Sequence, residues 1–178
     1  AKALDEILTD HAEVFTELKE YYKQTSESDT TKISFYEDTY SLYNLYRFAH
    51  YYEEAYGKYI WLKSGASLVI EHTEAMTVID VNTGSVLKKK KQEDTLFYQI
   101  NREAAKEIAR QLRLRNISGI IMIDFINMKD TAQKEKLLSL LDSECKKDRV
   151  HCNVIDMTAL NLVEMTRSKV RKPLHEQI

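Results

Sequence analysis

The stretch "TEAMTVIDVNTG", Thr73–Gly84, sets an acid among residues that a core would bury. Met76, Val78, Ile79 and Val81 read as a strand, yet Asp80 interrupts them and Asn82 follows two residues later. An ionised carboxylate removed from water costs several kcal/mol unless a cation or a set of hydrogen bonds compensates it. A second stretch repeats the pattern: in "GIIMIDF", Gly119–Phe125, the apolar run Ile120, Ile121, Met122, Ile123 ends at Asp124. Side chains alternate along a strand, so Val78, Asp80 and Asn82 share one face, and Ile120, Met122 and Asp124 share a face of the other strand. If the two strands are sheet neighbours, Asp80 and Asp124 converge on one point, with Asn82 placed to supply a neutral oxygen or to hold Asp80. The plain alternative for either acid alone is a strand-end aspartate that caps a neighbouring turn.

Outward from these strands the pattern alternates strand and helix. "YIWLKSG" reads as a strand and turn, and "SLVIEH" with "AMTVIDVN" as an antiparallel hairpin. "GSVLKKKKQEDT" reads as a loop, and residues 93–115 as a long helix with Leu96, Ile100, Ala104, Ile108 and Leu112 on one face. "GIIMIDF" reads as a strand buried on both faces, "TAQKEKLLSLLDSECKK" as a helix, "HCNVIDM" as a strand and "ALNLVEMTRSKVRK" as a last helix before Pro173. Upstream, residues 1–24 have helical periodicity, Ile33–Tyr36 reads as a short strand and residues 39–56 as a helix. The tyrosines of this first third, Tyr36 to Tyr56, have helical spacing that favours packing over base stacking. The expected class is α+β: a mixed β-sheet flanked by helices over residues 59–178, preceded by a mostly helical portion over 1–58.

The 178 residues, with a formal net charge of -2, suffice for one good core with a smaller appendage and carry no global positive field. No apolar stretch approaches the roughly 20 residues that span a bilayer, and the start lacks the zones of a signal peptide, so no membrane partner and a cytoplasmic location are expected. Cys145 and Cys152 match neither a disulfide framework nor a zinc half-site, which favours structural thiols in a reducing compartment.

Two carboxylates with room for water suit a hard cation, Mg²⁺ or Mn²⁺, which keeps several waters and shares its shell with phosphate. Such an ion polarises a phosphodiester and stabilises the charge developed as it breaks. Basic residues that could grip phosphates are Lys88, Lys89, Lys90 and Lys91 after the first strand, Lys106, Arg110 and Arg113 on the long helix, and Arg167, Lys169 and Arg171 near the end. Solvated loop and helix faces are the plain readings of the same residues, and Glu103 and Glu107 dilute the helical set.

"WLKSGASLVIEHTEAMTVIDVNTG", "EDTLFYQINREAAKEIARQLRLRNISGIIMIDFINM" and "LNLVEMTRSKVRK" together resemble the catalytic core of the ribonuclease E/G family over residues 59–172. That resemblance implies a DNase I-like catalytic core and a magnesium-dependent endoribonuclease that hydrolyses single-stranded RNA in RNA processing and decay. The family's metal-binding aspartates fall on Asp80 and Asp124 and its supporting asparagine on Asn82. Residues 1–58 match loosely and, by their order, suggest the end of the family's ribonuclease H-like subdomain. The family's usual second glycine after "KSG" is Ala66 here, and a frequently basic position is His151. The RNA-binding and 5′-sensor segments and the zinc-binding CxxC pair that links subunits are not seen, so a truncated form is expected. A homo-oligomer stays open. Two other readings also stay open: a non-catalytic RNA-binding or oligomerisation module, and a DNA-directed phosphodiesterase.

Overall fold

The computed structural model describes residues 5–25, 31–84 and 93–177. The chain divides into two compact units, residues 1–52 and 53–178.

In the first unit, β1 (Glu6–Thr9) and β2 (Lys32–Phe35) pair in parallel, and α1 (Ala12–Thr25) lies between them in the chain. Phe15 of α1 packs on Phe35 of β2 with ring centroids 5.3 Å apart. The expectation of one helix over residues 1–24 is thus corrected: "EILT" is a strand because its backbone finds a partner 26 residues on, which local periodicity does not reveal. Likewise, the helix expected over 39–56 is two pieces, α2 (Leu42–Leu45) and α3 (Phe48–Tyr56), broken where Arg47 takes φ 52°. The tyrosines of these pieces do not form the core that their spacing suggested: Tyr40, Tyr43, Tyr46, Tyr51, Tyr52 and Tyr56 are all exposed.

The second unit is built on a six-stranded sheet in the order β3–β4–β5–β6–β8–β7. Its strands are β3 (Tyr59–Trp61), β4 (Ser67–His72), β5 (Met76–Asn82), β6 (Gly119–Asp124), β7 (Cys152–Met157) and β8 (Leu162–Arg167). The β5–β6 pair is parallel and all others are antiparallel, so the sheet is mixed. A parallel pair needs a long crossover, and α4 (Glu93–Leu114) lies in the connection between β5 and β6. The helix α5 (Thr131–Cys145) begins at Asp130, whose carboxylate accepts from the Ala132 amide at 2.8 Å.

Both helices pack on one face of the sheet. Ile100, Ala104, Ala105, Ile108 and Leu112 of α4 and Leu137 and Leu141 of α5 form one core with Leu68 and Ile70, Ile79 and Val81, Ile121 and Ile123, and Val163 and Met165. Ala66, where the family resemblance leads one to expect glycine, is fully buried in the same core. The fold class is therefore α+β, as expected. Two elements differ. "LVEMTR" is a strand and not a helix: Val163, Met165 and Arg167 are buried in strict alternation, and both edges of β8 find antiparallel partners. And β6 is buried on one face only, with Ile121 and Ile123 inside while Ile120 is 49% exposed.

Candidate metal and phosphodiester site

The open face of the sheet carries the acids. Along β5 the burial alternates, Ile79 and Val81 facing the helices while Asp80 is half-buried and Asn82 exposed. The question raised by Asp80 is thereby answered in part: the strand is apolar toward the core, and the carboxylate points away from it.

Asp80 and Asp124 are direct register partners across the parallel β5–β6 pair. Asn82 donates from Nδ2 to Asp80 Oδ2 at 2.7 Å, fixing that carboxylate from two residues along the same face. Partial burial, and then the negative charge of Asp80, hold the Asp124 carboxyl above its ordinary pKa. Since the charge of Asp80 disfavours the charge on Asp124, a cation bound beside them would relieve the repulsion. Every candidate donor is an oxygen, and among the described residues no group of three or more His, Cys, Asp or Glu side chains gathers around a common point. A pair of carboxylates fits an ion that retains water and shares its shell with phosphate, and does not fit a closed zinc site.

Backbone geometry fixes this end of the sheet. Gly84, two residues after Asn82, has φ 55°, and a Cβ there would lie 2.5 Å from the Gly65 carbonyl oxygen. Only glycine allows the end of β5 to come so near the β3–β4 turn. The same turn is held from α4, where Glu103 accepts from the Lys63 amide at 2.8 Å and the Ser64 amide at 3.3 Å. After Asp124 the chain is tied by Asn101, fully buried, which donates to the Ile126 carbonyl at 2.8 Å and accepts from the Ile126 amide at 3.0 Å. Asn101 escaped the sequence reading, and Glu103 entered it only as a charge that dilutes the basic set of the helix. The one signal was a polar residue, Asn101, directly beside Ile100 on the apolar stripe.

The basic candidates separate. Lys88, Lys89, Lys90 and Lys91 lie outside the described residues. Arg110 is paired with both Glu54 and Glu107. Arg113 is half-buried and donates to the Glu144 carbonyl at 3.4 Å. Arg167 departs most from the surface helix expected for it: it is buried, bridges to Asp148 at 2.9 Å and donates to Asn116 Oδ1 and the Ile117 carbonyl. Burial alone would raise the Asp148 pKa, but the Val150 amide and the Arg167 guanidinium hold it below the ordinary value. Arg167 thus joins β8 to the α4–β6 connection, and its guanidinium faces these acceptors.

At the opposite end of β4 and β5, a cavity of about 540 Å³ is lined by His72, His175, Arg115, Lys58, Glu71 and Tyr56, among others. The two imidazoles stack with centroids 3.6 Å apart. Burial, then the neighbouring His175 and Arg115, lower the His72 pKa to about 4. Among the described residues no helix is long and apolar enough to cross a membrane.

The family model for the ribonuclease E/G family matches residues 1–170. The chain is 38% identical to ribonuclease G of Escherichia coli (strain K12) over 171 residues, 96% of this chain and 35% of that protein. It is 39% identical to ribonuclease G of Haemophilus influenzae over 171 residues, with the same coverage. Ribonuclease E of Nostoc sp. is 34% identical over 176 residues, 97% of this chain and 26% of that protein. The chain therefore spans about a third or less of the length of these relatives. The match over nearly all of its sequence shows that the chain belongs to the ribonuclease E/G family.

Proposed function

We propose that this chain carries the phosphodiester-cleaving site of a metal-dependent endoribonuclease acting on single-stranded RNA, with a DNase I-like catalytic unit over the six-stranded sheet. One observation carries the reading: Asp80 and Asp124, 44 residues apart, stand opposite each other on the only sheet face that the described helices leave open. Family membership and the printed names of the relatives support RNA as the substrate.

Asp80 and Asp124 would hold Mg²⁺, or Mn²⁺ in its place, and the ion when bound would supply Lewis-acid polarisation of the phosphodiester and neutralisation of developing charge. The chain's own contributions follow from its hydrogen bonds. Asn82 restrains Asp80, so that carboxylate is oriented before substrate arrives. Asn101 restrains the segment after Asp124, and Glu103 and Gly84 fix the neighbouring turn. Prepositioned groups of this kind lower a barrier because no reorganisation is needed at the moment of reaction. Lys88–Lys91 and Arg113 are the proposed backbone-binding cations. Arg110 and Arg167, which the sequence also put forward, act through Glu54 and Glu107, and through Asp148, respectively.

The test incubates the chain with labelled single-stranded RNA, with and without magnesium, beside a DNA oligonucleotide of the same sequence. Magnesium-dependent cuts in RNA, lost in Asp80→Asn and Asp124→Asn, are expected. Salt-sensitive RNA binding without products would instead favour the non-catalytic module, and equal cutting of DNA would favour the DNA-directed phosphodiesterase. Cytoplasmic location and a homo-oligomeric state belong with this proposal and await separate tests.

A further inference from the structure

Strand register extends the site in one direction. Residues directly opposite each other on paired strands share a face. One row crosses the sheet as Tyr59, Val69, Asp80, Asp124, and the next as Trp61, Ser67, Asn82. Tyr59 and Trp61 therefore project from the same face as the two aspartates, with Asp80 two strands away and Asp124 three, roughly 10 Å and 14 Å at ordinary strand spacing. Both rings are open to solvent, Trp61 at 73% and Tyr59 at 61%, the latter comparable to the exposed tyrosines before α2 and on α2 and α3. Large apolar rings are normally covered, and here they stand on an edge strand beside two acids. Among the described residues the Trp61 indole has neither a hydrogen-bond partner nor a ring against it, whereas Lys58 lies 5.8 Å from the Tyr59 ring centroid.

Charge favours one kind of occupant. At the β3 edge, reaching round to the side that α4 covers, a groove of about 440 Å³ is lined by Trp61, Lys63, Lys106 and Arg113, together with Arg110 and its acidic partners, so that these cations lie round the sheet edge from the two aspartates. Lys63 and Lys106 have no carboxylate partner among the described residues, although Glu103, which serves the Lys63 and Ser64 amides, lies along the same groove. A flat aromatic surface flanked by uncommitted cations suits a chain of bases on a phosphate backbone. It suits an apolar protein segment less, because burial of these lysines would go uncompensated.

We propose that Trp61, with Tyr59 beside it, forms a base-stacking subsite for single-stranded RNA, with the phosphates next to the stacked base running past Lys63 and Lys106. This rests on the nuclease reading, and it adds a residue that positions the strand relative to the carboxylates. Stacking on an aromatic ring tolerates every base because each has a π-face, so the subsite would set the path and register of the strand without selecting a sequence.

Trp61 is the sole tryptophan of the chain, so its fluorescence reports the subsite directly. The 178-residue chain, held without divalent metal, is titrated with a short oligoadenylate and with a phosphodiester chain of equal length that lacks bases. Binding is followed independently by anisotropy of labelled RNA. We expect quenching by the oligoadenylate and little by the abasic chain, about tenfold weaker RNA binding in Trp61→Ala, and near-parental binding in Trp61→Phe. Equal quenching by both chains, or unchanged RNA affinity in Trp61→Ala, would overturn the subsite. If the parent still cuts RNA in magnesium and Asp80→Asn does not, that result removes the subsite alone. Absence of both cutting and RNA binding removes the nuclease reading and the subsite with it.

Discussion

The two faces of the six-stranded sheet come from the same strands, read at alternate residues. On the closed face Ile79, Val81, Ile121 and Ile123 lie under α4 and α5. On the open face Asp80, Asn82, Ile120, Met122 and Asp124 meet no helix among the described residues, and Tyr59 and Trp61 stand uncovered at the edge. The closed face obtains its stability from apolar burial at about 25 cal/mol per Å². The open face keeps two carboxylates close together, an arrangement that lowers stability and that, under the proposed function, a bound cation would offset. Stability and chemistry are thus separated by a single step along a strand, and a substitution on one face should leave the other largely intact.

The largest effect expected from that separation falls on activity alone. Asp124→Asn should reduce RNA cleavage by a factor on the order of a thousand or more, in line with removal of a catalytic group. Its urea midpoint should equal or exceed that of the parent, since the Asp80–Asp124 repulsion is relieved. A large drop in stability would show that Asp124 also serves the core. The converse variant is Arg167→Ala, behind the sheet. Removing one partner of a buried ion pair costs about 3–5 kcal/mol, and Arg167 and Asp148 are nearly inaccessible. Urea unfolding should show a loss of that size, and residual folded protein should keep its catalytic rate in magnesium.

Asn101 links the two faces. Asn101→Ala removes the partner of the half-buried Ile126 amide and carbonyl, a cost of about 1–3 kcal/mol, and frees the segment that follows Asp124. Both the urea midpoint and the cleavage rate should fall, and a change in only one would break the proposed linkage. Smallest is a pH effect at the far end of the sheet. The His72 pKa is lowered on folding to about 4, so the unfolded chain binds the proton more readily. The contribution of a neutral His72 is complete above pH ~6.5 and is lost as pH falls toward ~4. With allowance for solvent at this half-exposed ring, the loss is about 1–2 kcal/mol. His72→Asn should flatten that part of the stability profile, measured by urea unfolding between pH 7 and pH 4.5.

The open face was legible in one of its two strands. Alternation in "TVIDVN" put Asp80 and Asn82 on one side of β5, and the helical pattern after it supplied the crossover that a parallel pair requires, whereas the unbroken apolar run "IIMI" read as buried on both faces and hid the open side of β6. The sequence was less informative where partners are distant. "EILT" is a strand because of β2, and "LVEMTR" is a strand because of β6 and β7. Both segments are short, and helical and extended periodicities cannot be separated over so few residues. Arg167 misled for the same reason: arginine at a strand position with Asp148 opposite is interior, whereas arginine on a terminal helix is surface. The tyrosines of α2 and α3 have helical spacing yet stay exposed, which the sequence of those segments alone does not disclose. Asn101 was missed because its two hydrogen bonds go to backbone 25 residues away.

The most direct measurement is the number of Mn²⁺ ions bound, followed by electron paramagnetic resonance in the parent, Asp80→Asn and Asp124→Asn chains. The account predicts one site in the parent and its loss in each variant separately. One ion bound with parental affinity after either carboxylate is neutralised would contradict a shared cation and, with it, the assignment of this sheet face as the place where RNA is cut.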